Sequence, residues 1–575
     1  MKAIRSRALA RPLIFQTGFA VALCMSSLAQ SPAALAEGAG FRFRSGNLLI
    51  SREVYDNKNP PVIVPGVTQL PPGCTPGNCV TAVAGAAYPE VFNNDGPDGG
   101  FGVTSTIVLD QLSRTGGYIN SLQVRGDDQH DRRGRNEIVG SFSSKSEGAL
   151  NLSLGGRGVS FMAYLAPVDA LDVSNSNTPA VVDPTNPVPG QYYRVAVTVD
   201  QRGEFRFTKT NAYSGNNGRA VILNDKDGAD LLYAAGNAGN GGKPQPDGII
   251  VAAGAQLLHS ARQPLADPGL PAPVGSFNVA QLGDDISKDH IGKDTNFRGL
   301  TVFDNVVYFT KGSGGQGVMS VYFVDTSGYD SAGRPLACPN GVGLPNPSAT
   351  LPTSPIVYDA SLLQTKGVVP YNMCILKGLP TALKNKTFAP FGIWFANAKT
   401  FYLADEGNGD NAYDTATGTY TTAAGQTTAG LQKWVFDDST GTWTQAYTLS
   451  AGLDLGKSYT VAGYPAGNNA ATGLPWSPAT DGLRNITGRV SRNGTVSIWA
   501  ITSTVSGNGD PGADPNKLVM ITDKLAASSL PSGESFKTIR TARFGEVLRG
   551  VSFTPGTEVS RDRHHQHTAD ASGDR

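Results

Sequence analysis

Short apolar runs bounded by glycine, asparagine and aspartate recur along the chain, and no long segment has the periodicity of a helix. In each repeat, a short apolar strand and a polar turn lead into a second strand that is rich in tyrosine and valine. The repeats begin at Glu147, Gly218, Phe297, Phe391 and Leu483. Further strand-like runs follow them at 192–210, 248–261, 317–325, 430–449 and 517–523. The 70 glycines favour many turns and short strands over helical bundles.

A strand–turn–strand unit of this kind cannot bury both of its faces alone, so repeated units stack around a central axis. The last run, 547–555, has the pattern of a first strand with almost no chain behind it, whereas 46–55, 105–112 and 118–124 lack a first strand. We therefore expect the two ends of the chain to pair, which removes exposed sheet edges. The sequence predicts an all-β fold, a single closed β-propeller of six blades over residues 37–559.

The first 36 residues have the pattern of a secretory signal peptide. A basic start precedes the apolar stretch 12–25, and a small-residue cleavage signal ends at Ala36. No second apolar span follows, so we expect a secreted or periplasmic protein without a transmembrane segment. We expect the mature protein to be a monomer, and its histidine-containing tail, 560–575, to be disordered.

Four cysteines remain after the predicted cleavage: Cys74, Cys79, Cys338 and Cys374. An even number in an exported chain indicates two disulfides. Cys74 and Cys79 would close a small loop, and Cys338 and Cys374 a larger one. A redox site or half of a zinc site is the alternative for the first pair.

Oxygen-bearing side chains crowd the stretch 401–414. An aromatic and aliphatic run ends there in Asp405 and Glu406, and Asp410 follows within the same stretch. These three carboxylates, together with Asp294 from a separate acidic stretch, are candidate ligands for a metal ion, and calcium prefers such oxygen ligands. The alternative is that the stretch forms only a polar turn between two strands.

The two halves of this region, "FYLADEG" (401–407) and "GLQKWVF" (430–436), resemble the strand–turn–strand signature of exported six-bladed propellers. The calcium-dependent β-propeller phytases and the NHL and gluconolactonase-like propellers carry relatives of it. In phytase-like propellers, acidic residues at such turns gather calcium ions that bridge an anionic substrate. The resemblance therefore implies that Asp405 and Glu406 are calcium ligands. The chain departs from the pattern through an insertion of 23 residues that begins at Gly407.

Arginines stand near the start of the first strand in four repeats: Arg219, Arg298, Arg484 and Arg549. First strands line the central channel of a propeller, so arginines at equivalent positions would form a positive ring at one mouth of the channel. The guanidinium fork suits carboxylate or phosphate groups of a substrate. Alternatively, each arginine pairs with a neighbouring acidic residue and holds one blade to the next.

A histidine is a further catalytic candidate. The sequence contains neither the Gly-x-Ser-x-Gly nor the His-Glu-x-x-His pattern of common hydrolases. Outside the tail it has only His130, His259 and His290, and His290 lies among acidic residues. His290 is therefore the candidate base, beside the catalytic candidates Asp405 and Glu406. A solvated loop histidine is the alternative.

Three functions agree with these features. The formal charge is zero, with 47 basic and 47 acidic residues, which disfavours nucleic acid as a partner. The first function is a calcium-dependent hydrolase or lyase that acts on a small anionic molecule or a polysaccharide; calcium would polarise the substrate and a carboxylate would activate water. The second is a non-catalytic module that binds a glycan, a peptide or a surface partner through the propeller face. Four aromatic residues could supply its stacking surface: Trp394, Tyr413, Trp434 and Trp443. The third is a structural envelope protein.

Overall fold

The computed structural model describes residues 41–55, 64, 66–70, 72–77, 79–82, 102–126, 136–145, 147–237, 254–261, 265–266, 273–277, 282, 296–313, 317–356, 371–383, 385, 387–470, 472–508 and 511–558. The predicted signal peptide, the tail, His290 and Asp294 lie outside these residues. The described chain is all-β, as predicted. None of its helices is long and apolar enough to cross a membrane.

Strands account for almost all of the regular structure. The strands up to Thr210 are β1 (Leu48–Val54), β2 (Gln69–Leu70), β3 (Val80–Thr81), β4 (Thr104–Leu112), β5 (Tyr118–Gln123), β6 (Glu137–Ser141), β7 (Asn151–Leu152), β8 (Gly158–Ala166), β9 (Arg194–Asp200) and β10 (Phe205–Thr210). Those up to Leu376 are β11 (Gly218–Asn224), β12 (Leu231–Gly236), β13 (Ala255–His259), β14 (Leu265–Ala266), β15 (Pro273–Gly275), β16 (Gly299–Phe303), β17 (Val306–Lys311), β18 (Ser320–Val324), β19 (Val342–Gly343) and β20 (Met373–Leu376). The remainder are β21 (Pro390–Asn397), β22 (Thr400–Asp405), β23 (Tyr413–Asp414), β24 (Thr419–Tyr420), β25 (Gly430–Asp437), β26 (Thr442–Leu449), β27 (Ala479–Val490), β28 (Thr495–Val505), β29 (Lys517–Lys524), β30 (Lys537–Thr541) and β31 (Glu546–Phe553). Helical turns occur at Val173–Asn175, Lys226–Gly228, Thr421–Ala424 and Pro511–Ala513.

Four sheets have the layout of separate propeller blades. Their strand orders are β11-β12-β13-β15, β16-β17-β18-β20-β19, β21-β22-β25-β26 and β27-β28-β29-β30. Neighbouring strands in them pair antiparallel, apart from the short parallel pair β19–β20. Each sheet begins with the first strand of a predicted repeat, because the alternating pattern and the turn residues are local properties of the chain. The sheets form a β-propeller-like arrangement.

A ten-stranded sheet takes the place of two further separate blades. Its order is β14-β10-β9-β8-β6-β4-β1-β31, with β5 beside β4 and β7 beside β8. Strand β6 pairs with β4 on one side, where Val139 lies opposite Thr106, and with β8 on the other. The prediction of six blades is therefore corrected to four separate blades in the described residues, because β6 joins the strands expected to make two blades.

The first and last strands of the described chain lie side by side, as the repeat pattern predicted. Strands β1 and β31 pair antiparallel from Leu48 opposite Phe553 to Val54 opposite Glu546, with an irregularity at Ser51. Strand β1 also pairs with β4, so β31 extends a sheet whose other strands come from the N-terminal part of the chain.

The first strands of several sheets surround a small central cavity of about 10 Å³, enough for roughly one water molecule. Small side chains at corresponding positions line it: Ala149, Ala220, Gly299, Gly392 and Asn485. At Gly392 a Cβ atom would lie 2.4 Å from the carbonyl oxygen of Arg484 in the next sheet. Glycine is therefore required there for two first strands to approach each other.

Aromatic side chains fill the interior between the blades. Trp434 and Trp443 are 5% and 6% exposed and pack around Phe401. These two tryptophans belong to the core, whereas the other two aromatic candidates of the binding module, Trp394 and Tyr413, are half-buried.

Both predicted disulfides are present. Cys74 is bonded to Cys79, and Cys338 is bonded to Cys374. The second disulfide is fully buried and joins β20 to the loop before β19.

Candidate functional site

Charged side chains from every major sheet converge at one end of the central cavity. Arg219, Arg298 and Arg484 each directly precede a residue that lines the cavity, namely Ala220, Gly299 and Asn485. The three arginines therefore occupy the same level of their first strands. The corresponding arginine in β31 is Arg549, whose side chain contacts the position of Gly148.

Glu406 is the acidic centre of this group. It follows the end of β22, and its carboxylate oxygens lie 3.8 Å from Nε of Arg298 and 3.2 Å from Nε of Arg484. Burial alone would raise the pKa of Glu406, but the positive charges of Arg298, Arg484 and Lys145 outweigh this and hold the pKa below its ordinary value. The side chains of Glu406 and Arg298 are each 11% exposed, so this pair retains some access to solvent.

Asp405 faces a different environment from its neighbour, because successive side chains of a strand point to opposite faces. Its carboxylate accepts hydrogen bonds from the backbone amides of Ala389, at 2.9 Å, and Gly407, at 3.0 Å, and from the side chain of Gln432. Burial raises the pKa of Asp405 to about 6. Asp405 thus holds the turn between β22 and the following loop.

The other two arginines make mostly backbone and amide contacts. Arg219 donates to the side chains of Asn217 and Asn296 and to the carbonyl of Phe297. Burial, reinforced by the positive charge of Arg298, keeps the pKa of Arg219 well below its ordinary value.

Arg549 connects β31 to β1, to the end of β6 and to the helical turn Pro511–Ala513. It donates to the carbonyl oxygens of Gly512, Ser141 and Phe142, and its Nε lies 3.5 Å from a carboxylate oxygen of Glu53. Arg298 and Arg484 therefore pair with Glu406 from another sheet, as the blade-to-blade interpretation expects, whereas Arg549 pairs with Glu53 of the neighbouring strand in its own sheet.

Three charged residues of the site were not among the sequence candidates: Glu53, Glu147 and Lys145. Glu53 is buried in β1, where burial raises its pKa to about 7 and Arg549 opposes the rise. Glu147 is also buried and accepts a hydrogen bond from the hydroxyl of Tyr164. A sequence signal existed, because Glu53 is an acidic residue within an otherwise largely apolar strand and Glu147 begins one of the two repeats without an arginine near the start.

We call the following eight side chains the axial charge cluster: Arg219, Arg298, Arg484, Arg549, Lys145, Glu53, Glu147 and Glu406. Five are basic and three are acidic. Each interacts electrostatically with at least one other member. The cluster therefore carries an excess of positive charge, which suits an anionic ligand better than a cation.

Asp481 lies beside the cluster, in β27. A Cβ atom at Gly407 would be 2.4 Å from Cγ of Asp481, so this carboxyl group sits against the residue that follows Glu406. Burial raises the pKa of Asp481 to about 7, and the negative charge of Glu406 contributes, against hydrogen bonds from Gly409 and Gln426. Two neighbouring carboxyl groups thus have pKa values displaced in opposite directions.

The predicted calcium ligands do not come together in the described part of the chain, where no three His, Cys, Asp or Glu residues form a metal-binding group. The carboxylate of Asp405 accepts hydrogen bonds from backbone amides, and the carboxylate of Glu406 forms ion pairs with arginines. Asp410 is exposed, and its carboxylate accepts a hydrogen bond from the amide of Ala412. In the described residues, Asp405, Glu406 and Asp410 are therefore each engaged by protein donors.

No protein-family model matches the chain, and no curated protein sequence matches it. Among solved structures, the chain is similar to a GH32 β-fructofuranosidase of Bombyx mori, a mutant in complex with sucrose. That similarity covers 72% of this chain and 87% of the other, with 8% identity and a TM-score of 0.27. A structure of NanB with Optactamide is similar over 80% of this chain and 48% of its own, with 9% identity and a TM-score of 0.12. Neither likeness is strong enough to carry an argument about activity.

Proposed function

We propose that this protein is an exported hydrolase that acts on an anionic, sugar-derived substrate at the end of the propeller axis. The observation that carries the proposal is the axial charge cluster, a convergence of buried charges with displaced pKa values and a positive excess. Such groups concentrate at functional sites of proteins. Two disulfides within the described chain are in keeping with an exported protein.

In this proposal Arg298 and Glu406 meet the substrate, because they are the partly exposed pair. Arg298 binds the anionic group of the substrate. Glu406, kept ionised by its arginine neighbours, acts as the general base for an attacking water. Asp481, whose pKa of about 7 allows it to carry a proton near neutral pH, acts as the acid.

We further propose that the propeller ring is closed around this site. The pair β1–β31 would join the last strand of the chain to its N-terminal strands, so that no open sheet edge remains there.

The test is a screen of the chain 37–575 against chromogenic uronides, glycoside sulfates, sugar phosphates and lactones. We expect hydrolysis of at least one class, and Glu406→Gln to lower kcat by about 10²–10⁴-fold, the usual contribution of a general base. Arg298→Lys should mainly raise KM, because lysine lacks the planar fork. Asp438→Asn, on an exposed surface ion pair, is the matched control. Unchanged activity in Glu406→Gln would overturn the proposed roles.

A structural role is the second candidate, favoured by the engagement of Arg484 and Arg549 with neighbouring strands. Under it, the wild-type protein hydrolyses none of the substrates and binds none of them in calorimetry. The variants Glu406→Gln and Arg298→Lys would then change only the thermal unfolding temperature.

Calcium dependence is a separate proposal that rests on the sequence candidates Asp405, Glu406, Asp410 and Asp294. Chelator-treated protein is titrated with calcium by calorimetry, and Asp405→Ala is the variant. Saturable binding that disappears in the variant would support the calcium site. Binding that is missing, or indifferent to Asp405→Ala, would leave the stretch as a polar turn.

A further inference from the structure

A second buried polar group lies away from the axis, between the sheet that contains β25 and the sheet that contains β29. Nζ of Lys433 in β25 lies 3.1 Å from Oδ2 of Asp523 in β29. The hydroxyl of Tyr402 donates to Oδ2 of Asp523 at 2.5 Å, and that of Tyr447 donates to Oδ1 at 2.8 Å. The Glu534 carboxyl group interacts with Asp523 from the loop before β30.

The ion pair at the centre of this group is sealed from water, and Glu534 at its edge is half-buried. The side chains of Lys433 and Asp523 have no exposed surface. Nζ of Lys433 contacts the ring faces of Tyr402 and Tyr447 and donates to the carbonyl of Lys524 at 2.7 Å. A buried cation in such surroundings is costly to desolvate, which favours the neutral amine of Lys433 over the ammonium.

We propose that Lys433 and Asp523 condense to form an intramolecular amide bond that links β25 to β29 covalently. Nζ of Lys433 loses a proton and attacks Cγ of Asp523, a C–N bond forms and a C–O bond breaks. The departing carboxylate oxygen leaves as water with two of the three protons of the original ammonium group. No electrons are gained or lost, so the step needs neither an oxidant nor a reductant. The reaction is independent of the proposed hydrolase activity.

The neighbouring side chains supply what this reaction needs. The hydroxyls of Tyr402 and Tyr447 point at the carboxyl oxygens and stabilise the negative charge that develops there during attack. Glu534 takes a proton from the attacking amine and returns it to the departing oxygen. Burial, aided by Asp523, raises the pKa of Glu534 to about 7, which suits a group that both accepts and donates a proton.

Two properties of the structure favour condensation over a persistent ion pair. The nucleophile and the acid are held in contact by separate sheets, and such preorganisation is worth an effective concentration of about 10⁵ M or more. Burial also lowers the pKa of Lys433, against the attraction of Asp523, which raises the share of neutral amine. The seal against water then protects the amide from hydrolysis.

Mass spectrometry of the folded chain 37–575 tests this proposal. After reduction of the disulfides, the intact protein should be lighter than its sequence by the mass of one water molecule. Trypsin cannot cleave at an acylated lysine, so the digest should contain the peptide 400–457 joined to the peptide 518–524. Recovery of free peptides ending at Lys433, with an intact mass equal to that of the sequence, would overturn the proposal.

Glu534→Gln separates the chemistry from folding, because Glu534 is only partly buried and lies in a loop. We expect this variant to fold, to have the full sequence mass and to yield unlinked peptides. Lys433→Arg should behave in the same way if it folds. Lys399→Gln, which removes an exposed lysine of the same sheet, is the control and should retain the mass deficit. A deficit that persists in Lys433→Arg would refute the assignment.

Discussion

Replacement of Glu406 by glutamine changes one charge at nearly constant volume and leaves two buried arginines without their shared partner. The side chains of Arg298 and Arg484 are 11% and 6% exposed, so water compensates little for the loss. Breaking a buried ion pair costs about 3–5 kcal/mol. The contact to Arg484 is shorter, 3.2 Å against 3.8 Å for Arg298, so most of this loss should come from Arg484.

A double-mutant cycle isolates the contribution of the Arg484–Glu406 pair to the free energy of unfolding. Arg484→Met, Glu406→Gln and the double variant are unfolded in urea, and tryptophan fluorescence reports the transition. We expect the double variant to be more stable than the sum of the two single losses predicts, by about 1–3 kcal/mol, because contacting residues are coupled. The control variant Asp438→Asn should have the same free energy of unfolding as the wild type. A loss below about 0.5 kcal/mol in Glu406→Gln, the range of neutral surface substitutions, would refute the buried ion-pair argument.

Three further predictions concern the fold and its pH dependence. The pKa of Glu53 rises from 4.5 to about 7 on folding, so the folded state binds more protons than the unfolded state between these pH values. The free energy of unfolding should therefore fall by about 3 kcal/mol as pH rises through this interval. Glu53→Gln should flatten the pH dependence of the unfolding free energy between pH 5 and 8, and an unchanged slope would count against this assignment. Gly392→Ala places a Cβ atom against the Arg484 backbone and should cost about 1–3 kcal/mol in urea unfolding, whereas Gly126→Ala, with only ordinary contacts, should be close to neutral. The Cys338–Cys374 disulfide closes a loop of 36 residues, so replacing both cysteines with serine should lower the free energy of unfolding by about 3–4.7 kcal/mol in the same assay. A change near zero would contradict the stabilisation expected from loop entropy.

The repeat pattern predicts the four separate blades because its information is local. Alternating apolar residues and turn residues specify each strand and its neighbour in the meander, and the β1–β31 pair follows from incomplete repeats at both ends. The separate blade count was wrong because β6 pairs on both of its edges. A run of five residues has no sequence mark that distinguishes a bridging strand from an outer strand.

Sequence spacing predicted a shared role for Asp405 and Glu406, and tertiary structure separated them. As neighbours at the end of one strand, they point to opposite faces: Asp405 binds local backbone amides, and Glu406 reaches Arg298 and Arg484. The arginines lie 108 and 78 residues away in the chain, so only the packing of sheets around the axis could pair them.

By itself the sequence determined the all-β class, the strand meanders, the two disulfides and the arginines near the starts of the first strands. These features depend on the chemistry of short segments and on cysteine number. Tertiary structure decided which charges meet, which carboxyl groups are protonated near neutral pH, and that Lys433 faces Asp523 across two sheets. Those outcomes depend on burial and on contacts between distant strands, because the energy of a charge is set by its distance to other charges and to water.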